Sequence, residues 1–154
     1  MKVLLKVKDV MVTNVVTVDV GVNVRKAVER MNNQEIGCLV VLEKGNFAGI
    51  LTERDVLKRI VAKARNPEKT LVGDVMSKPL IVVDPEAGLE EALELMFKKR
   101  VKKLTVVKDK ELVGLVTMTD IARIHTAMVE HMKRLAAKYD IPKRMEKVIR
   151  YYIV

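Results

Sequence analysis

Gly49-Ile50-Leu51-Thr52-Glu53-Arg54-Asp55 returns 65 positions later as Gly114-Leu115-Val116-Thr117-Met118-Thr119-Asp120, and this pair of segments decides the fold. Both segments read glycine, two aliphatic residues, threonine, two variable residues and aspartate, and an apolar run with helical spacing follows each of them. The same offset, kept without a gap, relates further identical pairs: Asp9/Asp74, Met11/Met76, Val18/Val83, Ala27/Ala92, Met31/Met96 and Val41/Val106. The register extends over most of the chain and therefore predicts a tandem duplication.

Each repeat has the pattern of a β-α-β-β-α unit: a short aliphatic strand, an amphipathic helix, a strand-turn-strand hairpin and a closing helix. Asn23 is placed to cap the first helix, whose apolar face begins at Val24. The predicted elements are strands at 15–18 and 80–83, hairpins at 38–51 and 104–116, and closing helices at 53–64 and 119–138. The predicted fold class is therefore α/β (α+β), with two pseudo-symmetric repeats that share a core and form one module.

A basic helical extension follows the two repeats. The boundaries we assign are 7–65 for repeat 1, 72–130 for repeat 2 and 131–154 for the extension. The apolar residues after Pro142 that predict a last amphipathic helix are Met145, Val148, Ile149 and Tyr152. Their shared face must cover either the module or a neighbouring subunit, and an exposed face of this kind favours a homodimer.

The composition is that of an ordered globular protein, since 49% of the 154 residues are hydrophobic and 32% are charged. No apolar run approaches the ~20 residues of a membrane span, and residues 1–6 lack the apolar region of a signal peptide. The single cysteine, Cys38, cannot form an internal disulfide and is interpreted as a small strand residue. These features predict a cytoplasmic protein without a membrane segment. Few Asn and Gln beside many Lys, Arg and Glu indicate a thermophilic source.

The net charge of +9 is concentrated in two stretches, 98–103 and 133–154, and the rest of the chain is close to neutral. A localised excess of this kind suits an anionic ligand or partner, although a solvated surface with a basic tail gives the same pattern. A nucleic-acid or other polyanion binder is therefore one hypothesis. The aromatic content of 3% offers little surface on which single-stranded bases could stack.

The Thr-x-x-Asp pattern that ends each repeated segment has two interpretations. Thr52 and Asp55, like Thr117 and Asp120, have the spacing of a capping box, in which the threonine oxygen accepts from a backbone N–H and the acid accepts from the cap N–H. The same geometry suits a ligand, because a carboxylate there can accept hydrogen bonds from both hydroxyls of a ribose and a helix N-terminus favours phosphate. A duplicated cap would produce the same spacing, so position alone leaves both readings open.

The repeated unit, with its Val-Met entry turn and its Gly-aliphatic-aliphatic-Thr-x-x-Asp ending, resembles the CBS domain (the cystathionine β-synthase type) over about residues 7–130. CBS domains occur as tandem pairs, called Bateman modules. The resemblance implies a regulatory, non-catalytic module that binds an adenine nucleotide (AMP, ADP or ATP), or in some members S-adenosylmethionine, in clefts between the repeats. It also implies a homodimer, and it leaves a separate effector protein as the partner that responds.

Carried over position by position, the resemblance implies two ligand clefts. The residues of the first cleft are Thr117, Asp120, Leu115, Thr119, Asp19, Val24, Ile36 and Gly37. The residues of the second cleft are Thr52, Asp55, Ile50, Arg54, Asp84, Leu89, Val101, Lys102 and Lys103. The threonines and aspartates would bind the ribose, and the aliphatic residues two positions before each threonine would flank the adenine.

The two clefts are not equivalent in charge. Arg54, Lys102 and Lys103 would favour a multiply charged phosphate in the second cleft, although the two lysines stand where smaller residues are usual and could fill the adenine position instead. The first cleft could take AMP or a less charged adenosyl ligand. Val20 also departs from the family pattern, in which proline is usual.

The sequence predicts no catalytic residue, no metal site and no required cofactor beyond the regulatory nucleotide. His125 and His131 lie six positions apart on a predicted helix, which is not the spacing of a one-face ligand pair, and the chain contains no GxxxxGK[ST] loop or nucleophile elbow. The alternatives to nucleotide sensing that remain are polyanion binding through the basic stretches and a purely structural dimerisation module.

Overall fold

The computed structural model describes residues 4–151, so residues 1–3 and 152–154, including Tyr152 of the predicted last helix, lie outside it. Within that range the chain forms eight α-helices, one π-helical turn and two three-stranded sheets, which confirms the predicted mixed α/β (α+β) class. The first half contains α1 (Val7–Val10), β1 (Thr17–Asp19), α2 (Val24–Gln34), β2 (Cys38–Glu43), β3 (Asn46–Thr52), α3 (Glu53–Val56), the π-helical turn Leu57–Val61 and α4 (Val72–Val75). The second half contains β4 (Val82–Val83), α5 (Leu89–Lys99), β5 (Lys103–Lys108), β6 (Glu111–Thr117), α6 (Met118–Ile124), α7 (Ala127–Lys138) and α8 (Lys143–Tyr151).

The chain divides into two compact units, which we describe separately. The central unit consists of residues 15–80, and the terminal unit consists of residues 4–14 together with 81–151. These units differ from the sequence repeats, because the segment before Val15 belongs to the unit that contains the second repeat. The segment that precedes the second repeat, α4 with Ser77, belongs in turn to the central unit.

The two sheets have the same topology. In the central unit β1 pairs with β2 in parallel and β2 pairs with β3 antiparallel, and β4, β5 and β6 pair in the same way in the terminal unit. The hairpin turn of the central unit is Lys44-Gly45, with positive φ angles of 50° and 79°, as a two-residue type I′ turn requires. The matching turn in the terminal unit is Asp109-Lys110, again with positive φ. The repeated register agrees with the duplication read from the sequence.

An entry segment adds a bridge to the edge of each sheet. In the central unit Ile50 N donates to Ser77 O at 2.9 Å and Ser77 N donates to Ile50 O at 2.8 Å. Val12 and Leu115 form the equivalent pair of hydrogen bonds in the terminal unit. The residue before each bridged aliphatic position is a glycine, and a Cβ on Gly49 would lie 2.5 Å from Ser77 O. The glycine that opens each repeated segment is therefore explained by a close backbone approach.

The core of the central unit lies between α2 and the sheet. Val24, Ala27 and Met31 of α2 are buried against sheet residues that include Leu39 and Leu51. Asn23 caps the helix, as predicted, because its side-chain oxygen accepts from Lys26 N at 2.9 Å. The helical face read from the sequence is thus confirmed.

The terminal unit has a larger core because the C-terminal helices join it. Met132 of α7 and Met145 of α8 are fully buried in one cluster with α5 residues such as Phe97. Val148 and Ile149 of α8 are also buried there. The apolar face of the last helix therefore covers its own unit, and the inference of a homodimer from an exposed face of that helix was wrong.

The closing helices differ from the prediction. The predicted single helix at 119–138 is two helices, because α6 ends at His125, whose φ of −133° and ψ of 87° leave the helical region, and α7 begins at Ala127. This break allows α7 to pack on α5 as well as on α6. In the central unit, α3 continues as a π-helical turn rather than a regular α-helix.

Exposed ion pairs attach the entry segment of the terminal unit. The amino groups of Lys6 and Lys8 both lie 2.6 Å from the Glu86 carboxylate. Hydrogen bonds from these two lysines lower the pKa of Glu86 to about 2. The carboxylate therefore stays ionised down to strongly acidic pH and holds the segment beside the β4–α5 turn.

Candidate functional site

Two strand-to-helix junctions carry the residues singled out from the sequence. The Asp55 edge consists of Ile50, Thr52, Arg54 and Asp55, where β3 runs into α3, and the Asp120 edge consists of Leu115, Thr117, Thr119 and Asp120, where β6 runs into α6. In both edges the threonine is the N-cap in an extended conformation and its hydroxyl oxygen accepts from the aspartate N–H. The capping interpretation of both threonines is therefore confirmed. The aspartates differ.

Both oxygens of the Asp55 carboxylate accept hydrogen bonds from residues of its own unit. Its Oδ2 accepts from Thr52 N at 3.0 Å and from the Thr52 hydroxyl at 3.1 Å, which completes the capping box. Its Oδ1 accepts from the Ser77 hydroxyl at 2.7 Å. Asp55 is only 5% exposed. These partners give the side chain a structural role.

Arg59 reinforces this arrangement one turn further along. Its Nη1 donates to the carbonyl oxygens of Val75 and Met76 at 2.8 and 2.7 Å, and it lies 3.8 Å from Asp55 Oδ1. The guanidinium thereby satisfies carbonyl groups at the C-terminal end of α4. Ser77 and Arg59 together fasten the α4 segment to the Asp55 edge.

The Asp120 carboxylate has a different environment. Its side chain is 20% exposed, and Arg123 Nη1 lies 3.9 Å from Oδ1. Among the hydrogen bonds of residues 4–151 we find none that this carboxylate accepts, so the capping box is only half formed. Both oxygens of Asp120 therefore retain acceptor capacity that those of Asp55 have used.

Two substitutions between the repeats account for the Ser77 and Arg59 contacts that the Asp120 edge lacks. At the offset of 65, Ser77 corresponds to Val12 and Arg59 corresponds to Ile124, neither of which has a polar side chain. Val12 makes the same backbone bridge as Ser77 but has no hydroxyl to donate. Sequence reasoning missed Ser77 and Arg59, because it compared identical positions, whereas the information lies in the positions where the repeats differ.

The N-terminal end of the middle strand, β5 or β2, lies beside the threonine of each edge. In the terminal unit, Lys102 O accepts from Met118 N at 2.8 Å and Lys103 is the cross-strand partner of Thr117. Directly opposed residues of an antiparallel pair project to the same face, so Lys103 lies beside the Asp120 edge within its own unit. In the central unit, Gly37 O accepts from Glu53 N and the cross-strand partner of Thr52 is the buried Cys38. The terminal unit therefore has a cation where the central unit has a small thiol.

The other predicted residues lie elsewhere in their units. Asp19 and Asp84 are exposed at the opposite ends of the sheets from the two edges, and each accepts a hydrogen bond from the backbone N–H two residues later. Val24 and Leu89 are buried at the first positions of α2 and α5. Ile36 and Val101 are half-buried in the loops that follow these helices. Arg54 is exposed in the first turn of α3.

Residues 4–151 contain no group of three or more His, Cys, Asp and Glu side chains that could hold a metal ion. In the same range, every helix is too short or too polar to cross a lipid bilayer.

Comparison with known proteins gives consistent matches. The family model described as the CBS domain matches residues 7–62 and 72–126. Among curated relatives, the chain is 38% identical over 114 residues to the mitochondrial CBS domain-containing protein CBSX3 of Arabidopsis thaliana, covering 71% of this chain and 54% of CBSX3. It is 36% identical over 116 residues to the CBS domain-containing protein YhcV of Bacillus subtilis, covering 75% of this chain and 82% of YhcV. Among solved structures, the hexameric CBS-CP12 protein from bloom-forming cyanobacteria superposes with a TM-score of 0.75 at 29% identity, covering 83% of this chain and 75% of that one.

Proposed function

The chain belongs to the CBS-domain family, and from this premise we propose that it is a regulatory module that binds an adenine nucleotide at the Asp120 edge. The observation that carries the proposal is the half-formed capping box of Asp120. A ribose presents two adjacent hydroxyls, and a carboxylate with two unused oxygens can accept from both. Within the described residues both oxygens of Asp120 are without a hydrogen-bond donor, whereas those of Asp55 accept from Thr52 and Ser77.

The neighbours of Asp120 suit the remaining parts of a nucleotide. Leu115 is a half-buried aliphatic residue two positions before the capping threonine and would contact the adenine. Lys103, the cross-strand partner of Thr117, would place a positive charge near the phosphates. The same charge disfavours the sulfonium of S-adenosylmethionine, so AMP, ADP or ATP is the preferred ligand class. The resemblance would complete this cleft with Asp19, Val24, Ile36 and Gly37, and that completion stays a prediction.

The proposal reverses one expectation from the sequence. The charges of Arg54, Lys102 and Lys103 favoured the cleft of Asp55 for the more highly charged ligand. The hydrogen bonds of Asp55 favour a structural role instead, since a ligand there would have to displace the Ser77 hydroxyl from a carboxylate that is 5% exposed. We therefore propose the Asp120 edge, rather than the Asp55 edge, as the nucleotide-binding site.

Isothermal titration calorimetry with AMP, ADP, ATP and S-adenosylmethionine tests this function. We expect Asp120→Ala to weaken nucleotide binding at least about 100-fold, because two charge-assisted hydrogen bonds of about 1.5–3 kcal/mol each are lost. Glu91→Gln, which removes one exposed negative charge from α5 of the same unit, is the control and should bind as the wild type does. At 100 times its dissociation constant the ligand should also add about 2.7 kcal/mol to the free energy of unfolding.

Two results would contradict the proposal. One is the absence of any heat or thermal shift with all four ligands at millimolar concentration. The other is nucleotide binding that Asp120→Ala leaves unchanged while Asp55→Ala, at a temperature where that variant is folded, abolishes it.

We also propose that the module signals as a homodimer that forms through the central unit. Leu57 and Val61, four residues apart on the π-helical turn, are 63% and 65% exposed. At the offset of 65, Leu57 corresponds to Ala122, which is fully buried in α6, a helix that packs against α7 and α8. In the terminal unit the C-terminal helices thus lie against α6 near the counterpart of Leu57, whereas the counterpart of Val61, Thr126, is exposed. The hexameric state of the CBS-CP12 protein supports self-association in this family. We propose that ligand binding changes this dimer and that a separate effector protein recognises the change.

Sedimentation velocity tests the dimer. We expect the wild type to sediment as a dimer and the double variant Leu57→Glu/Val61→Glu to sediment as a monomer, because two charges cannot be buried unpaired in an apolar contact. Lys58→Glu, on the same exposed turn, changes the charge without removing an apolar side chain and should remain dimeric. A double variant that still dimerises, or a wild type that is monomeric at 100 times the concentration used in the first run, would rule out this interface.

A further inference from the structure

The two basic stretches of the sequence meet in the terminal unit. Arg100, which ends α5, donates from Nη1 to the carbonyl and carboxylate oxygens of Asp140 at 3.1 and 2.8 Å. Arg144, in the first turn of α8, donates from Nη2 to the carbonyl oxygen of Arg100 at 2.8 Å. These contacts hold the C-terminal end of α5 beside the start of α8. Residues some 40 positions apart in the chain therefore contribute to one surface.

We call this surface the basic face and define it by five exposed cations: Lys98, Lys99, Lys143, Lys147 and Arg150. The last three follow α8 at positions i, i+4 and i+7, so they point to one side and rise about 6 and 10 Å along the axis. In the part of the chain that the structure describes, the four lysines form no ion pair, and Arg150 lies 3.8 Å from Glu146. A concavity of 280 Å³ is lined by Lys143, Glu146, Lys147 and Arg150.

We propose that the basic face binds the phosphate backbone of a nucleic acid. Regularly spaced cations, of which only Arg150 has an acidic neighbour among the described residues, match a linear array of phosphates, each of which can be neutralised with release of a counterion. The proposal does not rest on nucleotide binding at Asp120, because it uses different side chains on different helices.

Two other anionic partners fit the face less well. An amphipathic helix that binds a membrane inserts its apolar side chains, but Met145, Val148 and Ile149 of α8 are already buried in the core of the unit. A protein interface needs apolar or aromatic anchors at its centre, and the basic face supplies cations with Tyr151 alone as an exposed large apolar side chain of α8. Electrostatic contact with phosphates requires neither feature.

Fluorescence anisotropy with a labelled 20-base-pair DNA duplex, repeated with an RNA of the same length between 50 and 200 mM salt, tests the proposal. We expect the triple variant Lys143→Gln/Lys147→Gln/Arg150→Gln to lower the slope of log affinity against log salt by about 2.7, the value for three lost phosphate contacts on duplex DNA. Lys98→Gln/Lys99→Gln should lower it by about 1.8. The matched control is Lys58→Gln/Lys63→Gln/Lys69→Gln, which removes the same charge from exposed positions of the central unit and should leave the slope unchanged.

Three results would overturn the proposal. The first is no binding to either nucleic acid by the wild type at 50 mM salt. The second is an equal loss in the control triple variant, which would reduce the effect to net charge. The third is binding to vesicles of anionic phospholipid or to polyglutamate that is as tight as binding to the duplex and is lost in the same α8 variant, which would assign the face to a membrane or an acidic protein.

Discussion

Replacing Gly49 with alanine is expected to lower the free energy of unfolding by about 3 kcal/mol, at the upper end of the usual cost of overpacking. The added Cβ would lie 2.5 Å from Ser77 O, which accepts from Ile50 N and belongs to a residue that also donates its own N–H to Ile50 O. Relief requires the bridge between β3 and the α4 segment to open. The φ angle of Gly49 is not positive, so alanine adds no backbone strain there. The loss of stability therefore measures the steric clash with Ser77 O alone.

Substitutions of Gly114 and Gly88 provide the comparisons for Gly49→Ala. A Cβ on Gly114 would meet Met11 Sδ at 2.7 Å and Val12 O at 2.9 Å, and because the methionine can move, Gly114→Ala should cost less than Gly49→Ala. Gly88 has nothing within 4 Å of its Cβ position and caps α5, so Gly88→Ser should be neutral or slightly stabilising. Urea unfolding of the three variants measures the order. A Gly49→Ala variant within 0.5 kcal/mol of the wild type, on the order of ordinary surface substitutions, would mean that the bridge is not rigid.

Repetition in the sequence explains why so much of the fold could be predicted. The hairpins, the amphipathic helix before each hairpin and the apolar faces each appear twice with the same period, and local patterns of 2.0 and 3.6 residues determine them. The entry segments could not be assigned in this way. Their partners lie at the sheet edges of the unit that contains the other repeat, and no local period encodes which edge a short segment joins.

The prediction of a single helix at 119–138 was wrong for a related reason. A continuous apolar period predicted one helix at 119–138, but the chain turns at His125 so that α7 can bury Met132 and Leu135 in the core with α5. The period of a helix identifies its apolar face and does not reveal what covers that face. Tertiary packing decided both the break and the burial of α8.

At the candidate site, the sequence located the threonines and aspartates but not the difference between them. Asp55 has a hydroxyl donor at Oδ1 that Asp120 lacks, because one position contains Ser77 and its counterpart contains Val12. A hydroxyl 22 residues from Asp55 in the chain becomes its partner only when the α4 segment folds onto β3. The difference in hydrogen bonding between the two aspartates therefore depends on a tertiary contact.

Asp55→Ala is expected to destabilise the protein by roughly 2–4 kcal/mol, whereas Asp120→Ala should cost less than about 1 kcal/mol. Removing the Asp55 carboxylate leaves Thr52 N and the Ser77 hydroxyl without acceptors in a nearly buried place, and each unsatisfied group costs about 1–3 kcal/mol. Asp120 is a half-buried first-turn acid whose carboxylate accepts no hydrogen bond within residues 4–151, and such an acid contributes only about 0.3–1 kcal/mol to its helix. Urea unfolding without ligand measures both values.

A double-mutant cycle of Asp55 and Ser77 tests whether their hydrogen bond causes this difference in stability. Ser77→Val introduces the residue that the other repeat has at this position and should cost about 1–2 kcal/mol, because the Asp55 oxygen loses one donor. In Asp55→Ala/Ser77→Val the Ser77 hydroxyl is no longer left without an acceptor, so the combined loss should fall short of the sum by about 0.5–3 kcal/mol. Additive losses would show that the 2.7 Å hydrogen bond contributes nothing to stability, and the structural role of Asp55 would then rest on Thr52 alone. Equal losses for Asp55→Ala and Asp120→Ala would remove the asymmetry on which the choice of the Asp120 edge as the nucleotide site depends.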